Sequence, residues 1–323
     1  MMRGLLACAP AFLAILALSG CSRRDRHQPR LIEIIVPSAD NPFFRTEAEA
    51  AAARARQLGY RARVDSHNDD PYQQDNLVDM AIASNAAALI LDNAGADASI
   101  AAVRRAERAG IACFLIDRAI NGGGIAQGQI LADNAQGARL VAAEFVRLMQ
   151  GKGPYAELLG KESDTNAQVR TDGFHAVLDR SPELRLAARQ SANWDQSQAF
   201  QKTETILESH PEIRGIIAGN DTMAVGAAAA ARTSGRSDLI IVGFDGSPDA
   251  LAAIRAGEMQ ATVLQPAVTL AAMAVTEADR WLRTKATGAQ ELQIIPCFLV
   301  TRQNVGDFAG FQRIGNADLR GEK

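Results

Sequence analysis

Short apolar runs alternate with longer amphipathic segments along most of the chain, from Leu31 onward. The apolar runs include residues 31–36, 88–91, 111–116, 213–218 and 239–244. The amphipathic segments include residues 46–58, 98–109, 135–149, 164–178 and 196–209. Strands that are apolar throughout and separated by helices are typical of parallel sheets covered on both faces. The pattern therefore predicts an α/β fold built on doubly wound parallel sheets.

The residues that flank the predicted helices agree with this interpretation. Gly59 and Gly110 each follow an amphipathic segment, and glycine is the residue that most often ends a helix. Ser247 is followed by Pro248, which matches an N-terminal cap followed by proline in the first helical position. We therefore expect helix ends at Gly59 and Gly110 and a helix start at Ser247.

Length and charge narrow the class of protein. A chain of 323 residues is too long for one ordinary core and predicts two domains of about 130 to 160 residues each. It carries 34 Lys and Arg against 37 Asp and Glu, a net charge of −3, without a basic stripe. Because proteins that bind nucleic acid through phosphate contacts usually carry a basic excess, we expect no nucleic-acid partner.

The N-terminal residues have the composition of an export signal. An apolar run at residues 5–18 is shorter than the roughly 20 residues of a membrane span. The run leads into LSGC at residues 18–21, which resembles the lipobox of bacterial lipoproteins. We interpret residues 1–20 as a lipoprotein signal peptide and residues 21–30 as the lipidated Cys21 with a polar tether. In the alternative, the signal is an ordinary secretory one and Cys21 has no special role.

The cysteines do not indicate a disulfide framework. Removal of residues 1–20 leaves Cys21, Cys113 and Cys297 of the four in the chain. Cys113 and Cys297 lie in apolar runs, so we expect both to be buried small hydrophobic residues rather than a disulfide or a metal pair. We expect neither a metal nor a cofactor in this protein.

Polar side chains follow most of the predicted strands. Ligands of doubly wound sheets bind beyond the carboxyl ends of the strands, so these residues are candidates for a binding site. Aromatic and charged residues near predicted helix starts join them. The residues at these places are Asp40, Asn41, Phe43, Phe44, Asp92, Asn93, Asp117, Arg118, Arg170, Trp194, Asn220, Asp221, Asp245 and Gln265. Carboxylates accept hydrogen bonds from hydroxyl groups, and arginine and amide groups donate to the hydroxyl oxygen. Aromatic faces pack on the C–H groups of a sugar ring or chain. The chemistry predicts a sugar or polyol ligand.

Each of these residues also has a structural interpretation. Asp and Asn after a strand often cap the next helix, and Asp221 and Thr222 are expected to do so. Phe43 and Phe44 taken alone are more typical of a core, and an Asp beside an Arg can form a local ion pair of little energetic value. The binding-site prediction depends on the convergence of the whole set at one edge of the sheets.

Four longer motifs carry a family resemblance. They are DNPFF at 40–44, LIDR at 115–118, AGNDTMAVGA at 218–227 and IIVGFDGSPDA at 240–250. With them the chain, from about Leu31 to Gln303, resembles the ribose-binding branch of periplasmic sugar-binding proteins, the substrate receptors of bacterial ABC importers. The resemblance implies a ligand held between two lobes, with Phe43 and Trp194 on opposite sides of it. The ligand-binding residues that it implies on one lobe are Asn41, Phe43, Phe44, Asn93, Asp117 and Arg118. On the other lobe it implies Arg170, Trp194 and Asn220, with Asp245 and Gln265 nearer the crossing strands.

One residue and one segment depart from the ribose pattern. Trp194 stands where that pattern more usually has Phe. The segment GKESDTNAQVR at 160–170 differs from GxxGTSAAxxR, the corresponding segment of the ribose pattern. A polyol, another pentose or a hexose therefore fits the site as well as ribose does.

The resemblance also implies how the lobes are built. Three crossovers are expected near residues 131–133, 264–266 and 295–297. They divide the chain into an N-terminal lobe, residues 31–131 plus 266–295, and a C-terminal lobe, residues 132–265 plus 296–323. Hinge closure then traps the ligand, and the importer's membrane subunits bind the closed shape.

We consider four classes of function for a chain with these features. The first is a lipid-anchored carbohydrate receptor of an ABC importer, monomeric and facing the periplasm or the cell surface. The second is a sugar sensor that presents its closed state to a chemoreceptor or membrane histidine kinase. A transcriptional repressor is excluded, because no room for a DNA-binding domain exists between the export signal and the fold. The fourth class is an enzyme, which is not expected because the sequence contains no G-x-S-x-G, H-E-x-x-H or G-x-x-x-x-G-K-[ST] motif. Within this class, Asp117 and Asp245 would suit a glycosidase that uses two carboxylates.

Overall fold

The computed structural model describes residues 29–314 of the chain. Within this range there are twelve strands and nine α-helices. The strands are β1 (Leu31–Val36), β2 (Arg61–Ser66), β3 (Ala88–Leu91), β4 (Ala112–Ile116), β5 (Gly128–Ala132), β6 (Lys152–Leu159), β7 (Glu183–Ser191), β8 (Gly215–Ala218), β9 (Ile240–Val242), β10 (Ala261–Leu264), β11 (Leu292–Ile295) and β12 (Phe298–Thr301). The helices are α1 (Pro42–Gln57), α2 (Pro71–Ala83), α3 (Ile100–Arg108), α4 (Asn134–Leu148), α5 (Thr165–Leu178), α6 (Gln196–Ser209), α7 (Asp221–Thr233), α8 (Pro248–Ala256) and α9 (Ala267–Thr284).

The strands form two six-stranded sheets. The order is β11-β5-β4-β3-β1-β2 in the first sheet and β12-β10-β9-β8-β6-β7 in the second. Every strand pair of the first sheet is parallel. In the second sheet the edge strand β12 runs antiparallel to β10, a feature that the hydrophobic pattern did not indicate.

The chain passes between the two sheets three times. It leaves the first sheet after β5 and enters α4, which packs on α5 and β10 of the second lobe. It returns after β10 into α9, which packs on α1 and β4. The third passage lies between β11 and β12. The predicted fold class, two doubly wound lobes joined by three crossovers, is confirmed.

The central strands are buried along their whole length, which explains their apolar sequences. β3, β4, β8 and β10 are buried at every position, as expected for parallel strands with helices on both faces. β2 and β7 lie at sheet edges, where their burial is partial and their sequences are correspondingly more polar.

Helix ends follow the expected local signals. Gly59 and Gly110 have φ of 86° and 83° directly after α1 and α3, and Ser247 caps α8 with Pro248 in the first turn. Helix α1 begins at Pro42, four residues before the predicted start at residue 46, because the Asn41 side chain caps it.

The described cysteines are structural. Cys113 and Cys297 are free and buried, as predicted. Within residues 29–314, no cluster of three or more His, Cys, Asp or Glu side chains is arranged to hold a metal ion. In the same range, no helix is long and apolar enough to cross a membrane. The predicted signal peptide and Cys21 lie outside the described residues.

Candidate functional site

The first turn of helix α1 brings two aromatic rings to the space between the lobes. The Asn41 side chain accepts a hydrogen bond from the Phe43 amide at 2.9 Å. The Phe43 and Phe44 rings pack edge to face at 5.6 Å, and Phe43 meets Phe311 in the same way at 5.5 Å. Because both rings are buried and held by neighbours, they form a fixed apolar wall of the cleft.

Three of the predicted site residues have strained backbone. Asp117, Trp194 and Asp245 have φ of 58°, 64° and 120°, a region that residues other than glycine rarely adopt. Such a conformation costs about 1 to 3 kcal/mol and persists only where the surrounding structure requires it, often at ligand sites. Their joint presence in one cleft therefore indicates a functional site.

Arg118 links the two lobes. Its buried guanidinium lies over the Phe44 ring, with Cζ 5.0 Å from the ring centroid, and Nη1 donates to Asp69 at 2.8 Å. From the C-terminal lobe, Asp164 Oδ2 lies 2.9 Å from Arg118 Nη2. The same oxygen accepts a hydrogen bond from the Trp194 indole N–H at 3.1 Å. One carboxylate thus connects an arginine of the first lobe with an aromatic ring of the second.

Arg170, on helix α5, is held by groups of its own lobe. Nε donates to Asn134 Oδ1 at 2.7 Å. Nη1 donates to the Gly219 carbonyl at 2.8 Å and to Asp245 Oδ1 at 3.1 Å. The guanidinium also stacks on Phe244, with Cζ 4.1 Å from the ring centroid. These contacts orient the arginine without any group from the N-terminal lobe.

Gln265 lies directly after β10, where the chain crosses between the lobes. Its Nε2 donates to Asp245 Oδ1 at 2.8 Å. Its Oε1 is buried, and it accepts no hydrogen bond from the residues that the structure describes. A buried acceptor without a partner is costly, so this atom is suited to accept a ligand hydroxyl.

Trp194 is positioned by two glycines. A Cβ atom at Gly160 would lie 2.0 Å from ring atoms of Trp194, and one at Gly219 would lie 3.0 Å away. The indole therefore occupies space that only glycine leaves open at these positions. Its ring plane faces the Arg170 guanidinium, with Cζ 5.3 Å from the ring centroid.

Asn220 caps helix α7, a role that we expected of its neighbours Asp221 and Thr222. Its Oδ1 accepts a hydrogen bond from the Met223 amide at 2.9 Å and caps α7. The expectation that Asp221 and Thr222 cap this helix is wrong, because Asp221 is already its first residue. The Asp221 carboxylate instead accepts from the Ser247 amide at 2.7 Å.

Nine of the eleven predicted residues line one small cavity between the lobes. They are Asn41, Phe43, Phe44, Asp117, Arg170, Trp194, Asn220, Asp245 and Gln265. Asn93 and Arg118 do not line it. The Asn93 amide instead donates to the Arg118 carbonyl at 2.6 Å, and Arg118 contacts the lining residues from behind.

Asp164 and Asn166 line the cavity but were not predicted. Asp164 caps α5, and Asn166 Nδ2 donates to Asp117 Oδ1 at 3.3 Å across the lobes. Both lie in the segment 160–170 that departs from the ribose pattern. That departure was the available signal.

Burial shifts the pKa of two carboxyl groups in the cavity, Asp117 and Asp245. Desolvation raises the pKa of Asp117 to about 7, against a smaller opposing effect of the Arg118 charge. Desolvation raises the pKa of Asp245 to about 6, with Arg170 and Gln265 opposing it. Both groups therefore change charge near neutral pH, which makes hydrogen bonding in the cleft sensitive to pH.

Comparison with known proteins identifies the family. The profile of the periplasmic binding protein domain matches residues 32–286. A D-apiose import binding protein from Paraburkholderia graminis is 51% identical over 301 residues, which cover 93% of this chain and 95% of that protein. A ribose import binding protein from Bacillus subtilis is 32% identical over 256 residues, 79% of this chain and 82% of that protein. These relatives are import binding proteins, so the prediction that the chain is not an enzyme is confirmed.

A solved structure gives the same result at the level of the fold. It is a periplasmic solute-binding protein of an ABC transporter from Actinobacillus succinogenes with bound D-allose. The two share 27% sequence identity with a TM-score of 0.82, covering 86% of this chain and all of that one. The predicted resemblance is confirmed: the chain belongs to the family of proteins with a periplasmic binding protein domain.

Proposed function

We propose that this protein binds D-apiose, a branched five-carbon sugar, between its lobes and delivers it to an ABC importer. The carrying observation is the cavity itself, which combines carboxylates, amides and a guanidinium with aromatic rings. Asp117 and Asp245 would accept hydrogen bonds from sugar hydroxyl groups, Arg170 would donate to a hydroxyl oxygen, and Gln265 Oε1 would accept from a further hydroxyl. Phe43 and Trp194 would pack on the C–H groups.

The choice of apiose rests on the relative and on the size of the cavity. Identity to the D-apiose protein is 51%, against 32% for the ribose protein. Little free volume lies between the lining side chains, and direct contacts such as Asn166 to Asp117 cross the cleft. A compact sugar needs the smallest displacement of these groups. The relatives' import role favours delivery to an importer over presentation to a sensor.

A thermal-shift panel on residues 22–323 tests the ligand. D-apiose, D-ribose, D-allose and myo-inositol are compared with no addition. A ligand at about 1,000 times its dissociation constant stabilises by roughly 4 kcal/mol, which raises the Tm by several degrees. We expect the largest shift with D-apiose. Asp245→Asn, which removes the charge facing Arg170, serves as a folded control with a reduced shift.

The panel has outcomes that would overturn the proposal. A larger Tm shift with another sugar would identify that sugar as the ligand in place of D-apiose. Unfolding and refolding removes any sugar carried through purification, and a refolded protein whose Tm no sugar raises would contradict sugar binding.

We also propose the boundaries of the two lobes. They are residues 31–131 plus 266–295 for the N-terminal lobe and residues 132–265 plus 296–323 for the C-terminal lobe. A monomer is sufficient for the closure of these lobes.

We also propose that the mature protein is exported and lipid-anchored through Cys21. The apolar run at residues 5–18 and the LSGC sequence support this. Cys21→Ala is expected to leave sugar binding intact and to move the protein from the membrane fraction to the soluble one. A Cys21→Ala variant that stays with the membranes would contradict the anchor.

A further inference from the structure

A second cavity, which we call the cleft mouth, lies between the lobes and shares Asn41, Phe44 and Trp194 with the proposed sugar cavity. One loop of each lobe reaches it, the loop between β2 and α2 and the loop between β7 and α6. The left-handed residues of these loops, with φ of 52°, 57°, 52° and 64°, are Asn68, Asp69, Asn193 and Trp194. β2 and β7 are the matching edge strands of the two sheets. A strained turn that is repeated in both lobes at one cavity indicates a function in the cleft.

The Asp69 carboxylate is fixed by groups of its own lobe. The buried His67 ring holds the turn, because its Nδ1 accepts from the Asp69 amide at 3.1 Å and its Nε2 lies 2.8 Å from the Asp92 carbonyl oxygen. Arg118 Nη1 donates to Asp69 Oδ1 at 2.8 Å. The carboxylate therefore has a set position at the cleft mouth before any group of the other lobe reaches it.

A lysine of the other lobe contacts this carboxylate. Lys161 Nζ lies 3.4 Å from Asp69 Oδ2, and the two side chains are 34% and 20% exposed. Lys161 belongs to the loop between β6 and α5, where its carbonyl accepts from the Asp164 amide at 3.0 Å. Asp164 in turn forms the ion pair of 2.9 Å with Arg118. The loop thus presents a positive and a negative charge, and the first lobe meets them with a negative and a positive one.

The charge balance around Arg118 gives Lys161 a purpose. Three carboxyl groups of the first lobe lie at 2.8, 3.5 and 3.9 Å from this guanidinium, and they belong to Asp69, Asp92 and Asp117. The approach of Asp164 alone would add a fourth negative group. Lys161 comes with Asp164 on the same loop, so the loop adds no net charge to this region. Although desolvation opposes them, the charges of Arg118 and Lys161 lower the pKa of Asp69, which keeps it ionised at neutral pH.

We propose that Lys161 and Asp69 form a clasp beside the cleft mouth that slows the release of the bound sugar. The contact of Asp69 with Arg118 lies within one lobe, so it is present whether the lobes are apart or together. The contact of Lys161 with Asp69 crosses the lobes, so it stabilises only the closed form. Lys161 and Asp69 are positioning residues, since neither lines the proposed sugar cavity. The inference rests on the proposed sugar binding.

The rate of sugar release tests the clasp. Stopped-flow measurements in about 20 mM salt, where screening is weak, compare the release of D-apiose, or of the panel sugar that binds, from the parent and from Lys161→Met. We expect release to be about threefold faster in Lys161→Met, since a partly exposed ion pair is modest in strength. Lys161→Glu places a like charge beside Asp69 and should speed release about tenfold, whereas Lys161→Arg should restore most of the parent's residence time. Lys202→Met removes an exposed lysine on α6 of the same lobe and is the matched control with unchanged release.

Salt dependence separates a clasp from a packing defect. Because the pair is partly exposed, salt screens it, and about 0.5 M salt should speed release from the parent about threefold. Most of this salt effect should be lost in Lys161→Met. A packing defect would instead speed release by the same factor at both salt concentrations. Equal salt dependence in the parent and Lys161→Met would therefore overturn the clasp, and so would an unchanged release rate in low salt.

A measurement without sugar separates this inference from the proposed function. Spin labels at Tyr72→Cys on α2 and Gln201→Cys on α6, both exposed positions, report the distance between the lobes, and the native Cys113 and Cys297 are buried. Lys161→Met should lower the fraction of molecules with the short distance, and Lys161→Glu should lower it further. Failure of every sugar to bind, together with this decrease, would reject the proposed function and retain the clasp. Should no sugar bind, a closed fraction that both substitutions leave unchanged would overturn the clasp as well.

Discussion

The two lobes hold their arginines in different ways. Arg170 of the C-terminal lobe makes three hydrogen bonds at 2.7 to 3.1 Å and stacks on Phe244. Arg118 of the N-terminal lobe donates to Asp69 and to the Asn93 carbonyl, and its Nε and Nη2 form ion pairs without well-aligned hydrogen bonds. Its Nη2 partner, Asp164, comes from the opposite lobe.

The difference indicates that one half of the site is preformed and the other is completed by closure. A preorganised group spends little binding free energy on ordering, so Arg170 is expected to contribute strongly to affinity. In the closure that we propose, Arg118 would acquire the Asp164 contact of the opposite lobe, so it is expected to govern the balance between open and closed forms. The predictions below test this division, from the largest expected effect to the smallest.

Removal of the preformed arginine should have the largest effect. Arg170→Ala is expected to weaken sugar binding by roughly 2 to 4 kcal/mol, because it strands Asp245 and the Gly219 carbonyl in a buried site. Titration calorimetry measures the loss. Arg232→Ala, which removes an exposed ion pair with Glu258, is the matched control with unchanged affinity. Parent-like affinity in Arg170→Ala would show that this half of the site does not bind the sugar.

Displacement of the Trp194 ring should have the second-largest effect on affinity for the sugar. In Gly160→Ala the new Cβ would lie 2.0 Å from Trp194 ring atoms, so the indole must move. We expect an affinity loss of about 2 kcal/mol, together with a loss of stability of roughly 1 to 3 kcal/mol, because Trp194 is buried in the core of its lobe. Gly123→Ala, where a Cβ meets no atom within 4 Å, is the control. If the Gly160→Ala variant binds normally, Trp194 is not a sugar platform.

Loss of the contact between the lobes should have a smaller effect. Asp164→Asn keeps one side-chain oxygen, which can still accept from the Asn166 amide and cap α5. It places an NH2 group where Oδ2 accepts from the Trp194 indole, and it removes the charge that faces Arg118. We expect affinity to fall by about 1 kcal/mol, less than in Arg170→Ala. Calorimetry gives the affinity, and small-angle scattering of the sugar-bound protein reports the fraction closed. An effect as large as that of Arg170→Ala would remove the distinction between the halves.

The last prediction concerns the stability of the sugar-free protein and not its affinity for the sugar. Burial raises the pKa of Asp117 from 3.8 to about 7, so its neutral form stabilises the fold at low pH and this stabilisation is lost as pH rises through about 7. Asp117→Asn is neutral at every pH. Its Tm relative to the parent should therefore be higher at about pH 8 than at about pH 5. A Tm difference that does not change with pH would contradict the raised pKa.

The elements of the fold were largely predictable from local patterns. The predicted helix at residues 196–209 coincides with α6 (Gln196–Ser209), and the run at residues 31–36 coincides with β1 (Leu31–Val36). Burial on both faces makes such strands uniformly apolar, so they are visible in the sequence. The edge strands β2 and β7 are half-exposed and mix polar with apolar residues, so the search for apolar runs missed them. Helix α1 started earlier than its apolar period because its Asn41 cap decides the boundary.

The candidate site was predictable in composition and less so in geometry. Asp117 follows β4 of the first sheet, and Asp245 and Gln265 follow β9 and β10 of the second. The carboxyl ends of both sheets face the cavity, and that arrangement brings the three side chains together. Asp164 was not predicted as a site residue because an aspartate before a helix is typical of an ordinary N-cap, and Asp164 does cap α5. Its second role requires contact with Arg118, forty-six positions earlier in the chain.

What the sequence by itself determined is the alternation of buried strands and helices, the family and the residue types at the strand ends. These follow from patterns that extend over a few residues, where periodicity, caps and strand burial act locally. Only the tertiary structure decided that Asn220 caps a helix, that Asn93 and Arg118 lie behind the cavity, and that Asp164 contacts Arg118. The physical reason is that hydrogen bonds, desolvation and charge depend on which side chains meet in space, and these meet only when the strands and lobes are assembled.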